Sequence, residues 1–253
     1  MTIDWPAGPL DHACLVLDFD GTLAPIVSDP ATSSMPDSTR TVLASLAGRV
    51  GRLAIVSGRP AGFLAERVGV DGAELVGLYG LERVVDGSVE PDPRVAPYLD
   101  ALATAKVAMG EEVARWEGAE LEDKGRAFAV HWRRAADRDA AAVALEAMAR
   151  RVAGELAVED GKMVVELRPP VAADKGTAVA LLADGFDDVC FAGDDLGDLP
   201  AFAEVRSRGG LAVAVDHGEE TDPRVRAAAD VVVDGTAGFA DWLAALAARP
   251  RRH

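Results

Sequence analysis

Asp18 and Asp20 stand one residue apart at the end of an apolar run, in LVLDFDGTLAPI (residues 15–26). Residues i and i+2 of an extended segment point to the same side. Both carboxylates can therefore face one site while Phe19 packs inward, and Gly21 permits a tight turn behind them. A second acidic group, Asp194, Asp195 and Asp198, follows the apolar run VCFAG at 189–193. Four or five gathered carboxylates repel one another unless a cation neutralises them. An all-oxygen set without His or Cys suits Mg²⁺ rather than zinc, and Mg²⁺ with few protein ligands commonly also takes a substrate phosphate oxygen. Asp18, Asp20, Asp194, Asp195 and Asp198 thus read as a Mg²⁺ and phosphate site. Ser57, in Ser57-Gly58-Arg59, and Lys175 offer the hydroxyl and the fixed positive charge that such a site needs. A glycosidase carboxylate pair would require neither.

Singly, each motif is weak, because Asp after a strand is ordinarily a turn or cap residue and Ser-Gly is ordinary turn chemistry. Their order along a strand–helix alternation is what gives them meaning. CLVLDFD (14–20), RLAIVSGRP (52–60) and AELVGLYG (73–80) read as short buried strands. PDSTRTVLASLAGRV (36–50) and AGFLAERVG (61–69) read as the helices between them. This alternation predicts a parallel sheet with helices on its faces, with ligands bound outside the carboxyl ends of the strands. From RVVDGSVEP (83–91), an Asp-Gly hairpin, the pattern changes to helices at 94–116 and 137–154 and strands at 126–134 and 163–170. The alternation then resumes with DKGTAVALLADG (174–185), the strand before Asp194, GLAVAV, DVVVDG and a last helix with Phe239, Trp242, Leu243 and Leu246 on one face. The expectation is an α/β core of residues 1–85 and 171–253, interrupted by an α+β insert at 86–170.

A chain of 253 residues with a net charge of −16 argues against a nucleic-acid partner, which would need basic patches. Cys14 and Cys190 lie in apolar runs and read as buried free thiols. The opening residues lack the basic and apolar regions of a signal peptide, and no apolar run approaches the ~20 residues of a membrane span. A cytoplasmic protein with no membrane partner is expected.

The four motifs DFDGT (18–22), SGR (57–59), DKG (174–176) and GDDLGD (193–198) resemble those of the haloacid dehalogenase superfamily of phosphohydrolases. That resemblance implies a Rossmann-like parallel-sheet core with an inserted α+β cap. LDFDGTLAPIVSDP, IVSGRP, LEDKGRAFAVHWR and GKMVVELRPP extend the likeness over most of the chain, to trehalose-6-phosphate phosphatases. The chain departs from the common pattern at Gly197 and Leu199, where Thr and Glu are usual, and at Tyr79, where His is usual. The resemblance implies that Asp18 is the nucleophile and Asp20 the general acid and base. It gives Ser57 and Lys175 to the phosphate, with Gly58 and Arg59 beside them. It makes Asp18, the Asp20 carbonyl and Asp194 the Mg²⁺ ligands, with Asp195 and Asp198 completing the shell. Glu122, Lys124, Arg133, Lys162 and Glu166 match charged cap positions that would bind the sugar. Trp132 is expected to pack rather than stack on sugar, and Glu82 to reach the substrate.

The implied activity is the hydrolysis of trehalose 6-phosphate, the final step of trehalose biosynthesis, by a monomer with trehalose-phosphate synthase as pathway partner. A phosphatase for sucrose 6-phosphate or mannosyl-3-phosphoglycerate would share the core motifs. A catalytically silent sugar-phosphate sensor would be expected to have lost Asp18 or Asp20, and both are present.

Overall fold

Strand β1 (Ala13–Leu17) is buried at every position, which is why its sequence is apolar without alternation. In this computed structural model, which describes residues 5–27, 29–161 and 163–250, β1 lies in the middle of an eight-stranded sheet. After it come α1 (Asp37–Ala47), β2 (Arg52–Val56), α2 (Ala61–Val68) and β3 (Ala73–Gly77), then the hairpin β4 (Glu82–Val85) and β5 (Ser88–Pro91). A second unit follows: α3 (Leu99–Val113), β6 (Glu120–Asp123), β7 (Phe128–His131), α4 (Arg138–Val152), β8 (Ala157–Gly161) and β9 (Val164–Arg168). The chain then returns through α5 (Lys175–Leu182), β10 (Asp188–Gly193), α6 (Leu199–Ser207), β11 (Leu211–Asp216), α7 (Pro223–Ala228), β12 (Val231–Asp234) and α8 (Gly235–Ala247).

The sheet order is β12-β11-β10-β1-β2-β3-β4-β5, parallel from β12 to β3, with β4 antiparallel to β3. Alternate residues of β1 feed two cores. Leu15 and Leu17 pack with Leu43 and Leu46 of α1, Leu64 of α2 and the Phe239 and Trp242 rings of α8. Cys14 and Val16 pack on the other side with Val179 of α5 and Phe202 of α6. Phe239 and Trp242 stack at 5.7 Å, so the expected apolar stripe of the last helix is its buried face. Cys14 and Cys190 are buried and free, and burial pushes the Cys14 thiol up to about 12. No helix among the described residues is long and apolar enough to cross a membrane.

The chain divides into two units, one reaching Glu90 and resuming at Ala173, the other Pro91–Ala172. The hairpin that was expected to open the insert belongs instead to the edge of the core sheet, with Asp86 and Gly87 at φ 49° and 78° in its turn. The second unit is an antiparallel sheet in the order β6-β7-β9-β8, with α3 and α4 packed on one face through Met109, Leu145, Phe128, Val130 and Leu167. Its outer strands β6 and β8 leave no strand signal in the sequence. ELED and AVEDG are short and charged, as edge strands tend to be, and carry no clean apolar alternation.

Candidate active site

The carboxyl ends of β1, β2, β10 and β11 carry the polar residues of the first unit. The Asp18 N–H donates to the Ala192 carbonyl at 2.9 Å, continuing the β1–β10 ladder and fixing where the carboxylate emerges. Lys175 opens α5, whose start is set by a reciprocal cap between Asp174 and Thr177. Its ammonium lies 2.7 Å from Asp18 Oδ1 and 2.6 Å from Asp198 Oδ1. Asp18 and Lys175 are each 4% exposed and Asp198 is fully buried. The other Asp198 oxygen accepts from the Asp194 and Asp195 N–H groups at 2.9 and 3.0 Å. Gly193 makes this approach possible, since a Cβ there would lie 2.3 Å from Asp198 Cγ.

Oxygens of Asp18, Asp194 and Asp198 all lie within 4.8 Å of one another. Burial pushes the Asp18 carboxyl up to about 7, against the pull of Lys175. Burial, then the charges of Asp198 and Asp195, raises Asp194 to about 7, and burial with Asp18 raises Asp198 to about 7. Burial by itself would lower Lys175, but the charges of Asp18 and Asp198 carry it above its ordinary value. One ammonium among three buried carboxylates leaves negative charge uncompensated. The donor set is all oxygen, which fits a hard divalent cation.

The turn after β1 closes against this cluster. Gly21 has φ +76°, and a Cβ there would lie 2.1 Å from Asp194 Oδ2. The Gly21 carbonyl is 2.7 Å from His217 Nε2, and the Thr22 hydroxyl donates to Asp194 Oδ1 at 3.5 Å. Asp20, Ile26, Asp194, Asp195, Leu196 and His217 help line a cavity of about 610 Å³.

Not every expected residue joins the cluster. The Asp20 carboxylate stands apart, gripped by Arg59 (Nε to Oδ2 2.7 Å, Nη2 to Oδ1 3.1 Å) and by the Ser33 hydroxyl at 2.7 Å. Arg59, expected at the phosphate, is thus committed to Asp20. Asp195 is outside the cluster and accepts from the Gly197 N–H at 2.8 Å, capping the turn before α6. Ser57 is buried, its N–H donating to the Val76 carbonyl and its hydroxyl accepting from the Arg59 N–H at 3.2 Å. A Cβ on Gly58 would meet the Tyr79 hydroxyl at 2.5 Å, so the Tyr79 ring occupies the space beside Gly58. Glu82, expected to reach the substrate, is buried, and its carboxylate accepts from the Ala61 N–H at 2.6 Å at the start of α2. Ser33 and His217 reach the site from loops with no motif around them, and Thr22, inside DFDGT, had no role assigned to it.

In the second unit, register places Glu122 opposite Ala129 and Ala129 opposite Glu166. Glu120, Glu122, His131 and Glu166 therefore share the face turned away from Phe128, Val130 and Leu167. Lys124 Nζ lies 2.6 Å from Glu166 Oε2, and His131 Nε2 lies 2.9 Å from Glu122 Oε2. Arg133 lines a hollow of about 310 Å³ with Glu120, Glu122, His131 and Arg134. Trp132 is buried in the unit's core, as expected of a packing residue. Lys162 lies outside the described residues.

The trehalose-phosphatase family model matches residues 16–235, a span that runs through both units. The chain belongs to the trehalose-phosphatase family. It is 36% identical over 220 residues to an uncharacterised glycosyl hydrolase of Mycobacterium tuberculosis, covering 82% of this chain but only 16% of that protein. It is 33% identical over 207 residues to the trehalose-6-phosphate phosphatase of Escherichia coli, covering 79% of this chain and 76% of that one. The structure of Aspergillus fumigatus trehalose-6-phosphate phosphatase superposes with a TM-score of 0.67 at 24% identity, covering 93% of this chain and 92% of that one. That likeness shows the fold, which is that of the haloacid dehalogenase-like hydrolases.

Proposed function

We propose that the chain is a Mg²⁺-dependent phosphatase that hydrolyses trehalose 6-phosphate to trehalose and phosphate through an aspartyl-phosphate on Asp18. The observation that carries this reading is the buried Asp18–Lys175–Asp198 bridge beside Asp194, at the carboxyl edge of the sheet of a trehalose-phosphatase family member. Residues 91–172 would act as the cap that selects the sugar, with Glu122, Lys124, Arg133 and Glu166 supplying donors and acceptors to its hydroxyls. The substrate would come from a trehalose-phosphate synthase.

Asp18 would attack phosphorus, splitting one hard displacement into two easier ones. Asp20 would protonate the departing sugar oxygen, then take a proton from the water that attacks the phospho-aspartate. Ser57 would donate its hydroxyl to a phosphoryl oxygen, and Lys175 would hold Asp18 ionised while offering charge to the same group. Asp18, the Asp20 carbonyl and Asp194 would hold Mg²⁺, with Asp198 orienting the shell through its bonds to the Asp194 and Asp195 N–H groups and to Lys175. When bound, Mg²⁺ would offset the carboxylate charge and let an anionic nucleophile approach an anionic phosphate.

A substrate panel tests the reading: phosphate release from trehalose 6-phosphate, sucrose 6-phosphate, glucose 6-phosphate and mannosyl-3-phosphoglycerate. A kcat/KM for trehalose 6-phosphate well above the others is expected. Preference for another member would keep the chemistry and overturn the substrate. A folded chain that binds trehalose 6-phosphate and releases no phosphate would indicate a sensor.

A further inference from the structure

Asp20 is held by more than the motif around it. Its Oδ1 accepts from the Ser33 hydroxyl and from Arg59 Nη2, while among the described residues its Oδ2 accepts from Arg59 Nε alone. Ser33 lies between β1 and α1, in a stretch with no catalytic motif, and is fully buried. Its own placement is fixed by α2. Arg67 Nε donates to the Ser33 carbonyl at 3.2 Å and Arg67 Nη2 to the Ala31 carbonyl at 2.9 Å. The Arg59 and Arg67 guanidinium groups lie 4.8 and 4.7 Å from the Phe63 ring centroid. Phe63 meets Phe19, the residue between the two aspartates, edge-on at 6.1 Å. Helix α2, the 31–33 segment and the turn after β1 are thus packed together around one carboxylate.

The two Asp20 oxygens are not equivalent in this arrangement. An ionised carboxylate can accept all three bonds. A carboxyl about to donate its proton keeps acceptor capacity on its carbonyl oxygen, but the oxygen bearing the proton cannot also face an N–H pointed at it. The Ser33 bond to Oδ1 survives in both forms, whereas the Arg59 Nε bond to Oδ2 must be given up for proton transfer.

We propose that Ser33 is a positioning residue that fixes Oδ1 of Asp20 and so makes Oδ2 the oxygen that carries the proton. This rests on the reading of Asp20 as general acid and base. In the first half-reaction the Oδ2 proton passes to the sugar oxygen as its bond to phosphorus breaks and the Asp18–phosphorus bond forms. In the second, water attacks phosphorus, its proton goes to Oδ2, and the Asp18–phosphorus bond breaks. Arg67 supports the arrangement from behind by holding the Ser33 and Ala31 carbonyls.

The test uses leaving groups. A p-nitrophenolate departs without a proton, whereas a sugar alkoxide requires one, so misplacing the acid penalises sugar phosphates selectively. The quantity is the ratio of kcat/KM for the best sugar phosphate of the panel to kcat/KM for p-nitrophenyl phosphate, measured on the full chain with Mg²⁺. Ser33→Ala should lower that ratio about tenfold, as expected for one hydrogen bond to a charged group. Arg67→Met should lower it in the same direction by about threefold, through the backbone that seats Ser33 and the Phe63 ring it covers. Asp20→Asn, measured beside them, should lower it by at least ~100-fold. Equal losses on both substrates in Ser33→Ala, or no loss on either, would overturn the positioning role while a selective loss in Asp20→Asn kept the acid assignment. An unselective Asp20→Asn would overturn the acid assignment and the proposal with it.

Discussion

Replacing Lys175 by Met tests the electrostatic design of the site apart from its chemistry. The ammonium bridges Asp18 and Asp198 at 2.7 and 2.6 Å, and none of the three groups is more than 4% exposed. Removing one partner of a buried ion pair leaves an uncompensated charge and costs roughly 3–5 kcal/mol. At about 2–4 °C per kcal/mol for a chain of this size, the melting temperature should fall by roughly 6–20 °C in EDTA at pH 8. The loss should depend on pH with a definite sign. Lys175 pulls the Asp18 and Asp198 carboxyls down, so without it both rise above about 7 and are neutral at pH 5. Neutral carboxyls need no counter-charge, so the gap between native chain and variant should shrink as pH falls from 8 to 5. Thermal denaturation of both proteins in EDTA at pH 5, 6, 7 and 8 gives the answer. A gap that is constant with pH, or a variant as stable as the native chain at pH 8, would refute the reasoning.

Related expectations can be checked on the same footing. In the native chain without metal, Asp18, Asp194 and Asp198 sit near 7 when folded and near the ordinary carboxylate value when unfolded. The folded state then binds more protons across roughly pH 4–7, so stability should fall as pH rises through that window. Mg²⁺ competes with those protons and should raise the melting temperature more at pH 8 than at pH 5. Gly21→Ala would put a Cβ 2.1 Å from Asp194 Oδ2, and should abolish turnover and weaken Mg²⁺ binding measured by calorimetry. If the second unit selects the sugar, Glu122→Gln and Lys124→Met should each raise KM about tenfold, one lost hydrogen bond to a charged group, with much smaller changes in kcat.

The core was legible in the sequence because burial leaves a plain mark. Strands such as β1 and β10 are covered on both faces and read as unbroken apolar runs ending in polar residues. The edge strands of the second unit carried no such mark, and the β4–β5 hairpin looked like the start of an insert because its turn signal says nothing about which sheet it joins. Within the site, Asp18, Asp194, Asp198 and Lys175 were recoverable as members of one constellation, since each follows a strand or opens a helix at the same edge. Their allocation was not. Arg59 sits beside Ser57 in sequence, yet its long side chain reaches Asp20. Asp195 and Asp198 are three residues apart, yet one caps a turn and the other joins the buried cluster. Ser33 pairs with Asp20 across a loop whose path is set by Arg67, a long-range dependence that spacing cannot encode.

The most direct test of the central claim is phosphate release from trehalose 6-phosphate by the native chain with Mg²⁺, with EDTA, and by Asp18→Asn with Mg²⁺. Release with Mg²⁺, its loss in EDTA and its absence from a folded Asp18→Asn protein are the predicted results. Near-normal release by Asp18→Asn, or release that persists in EDTA, would contradict the account.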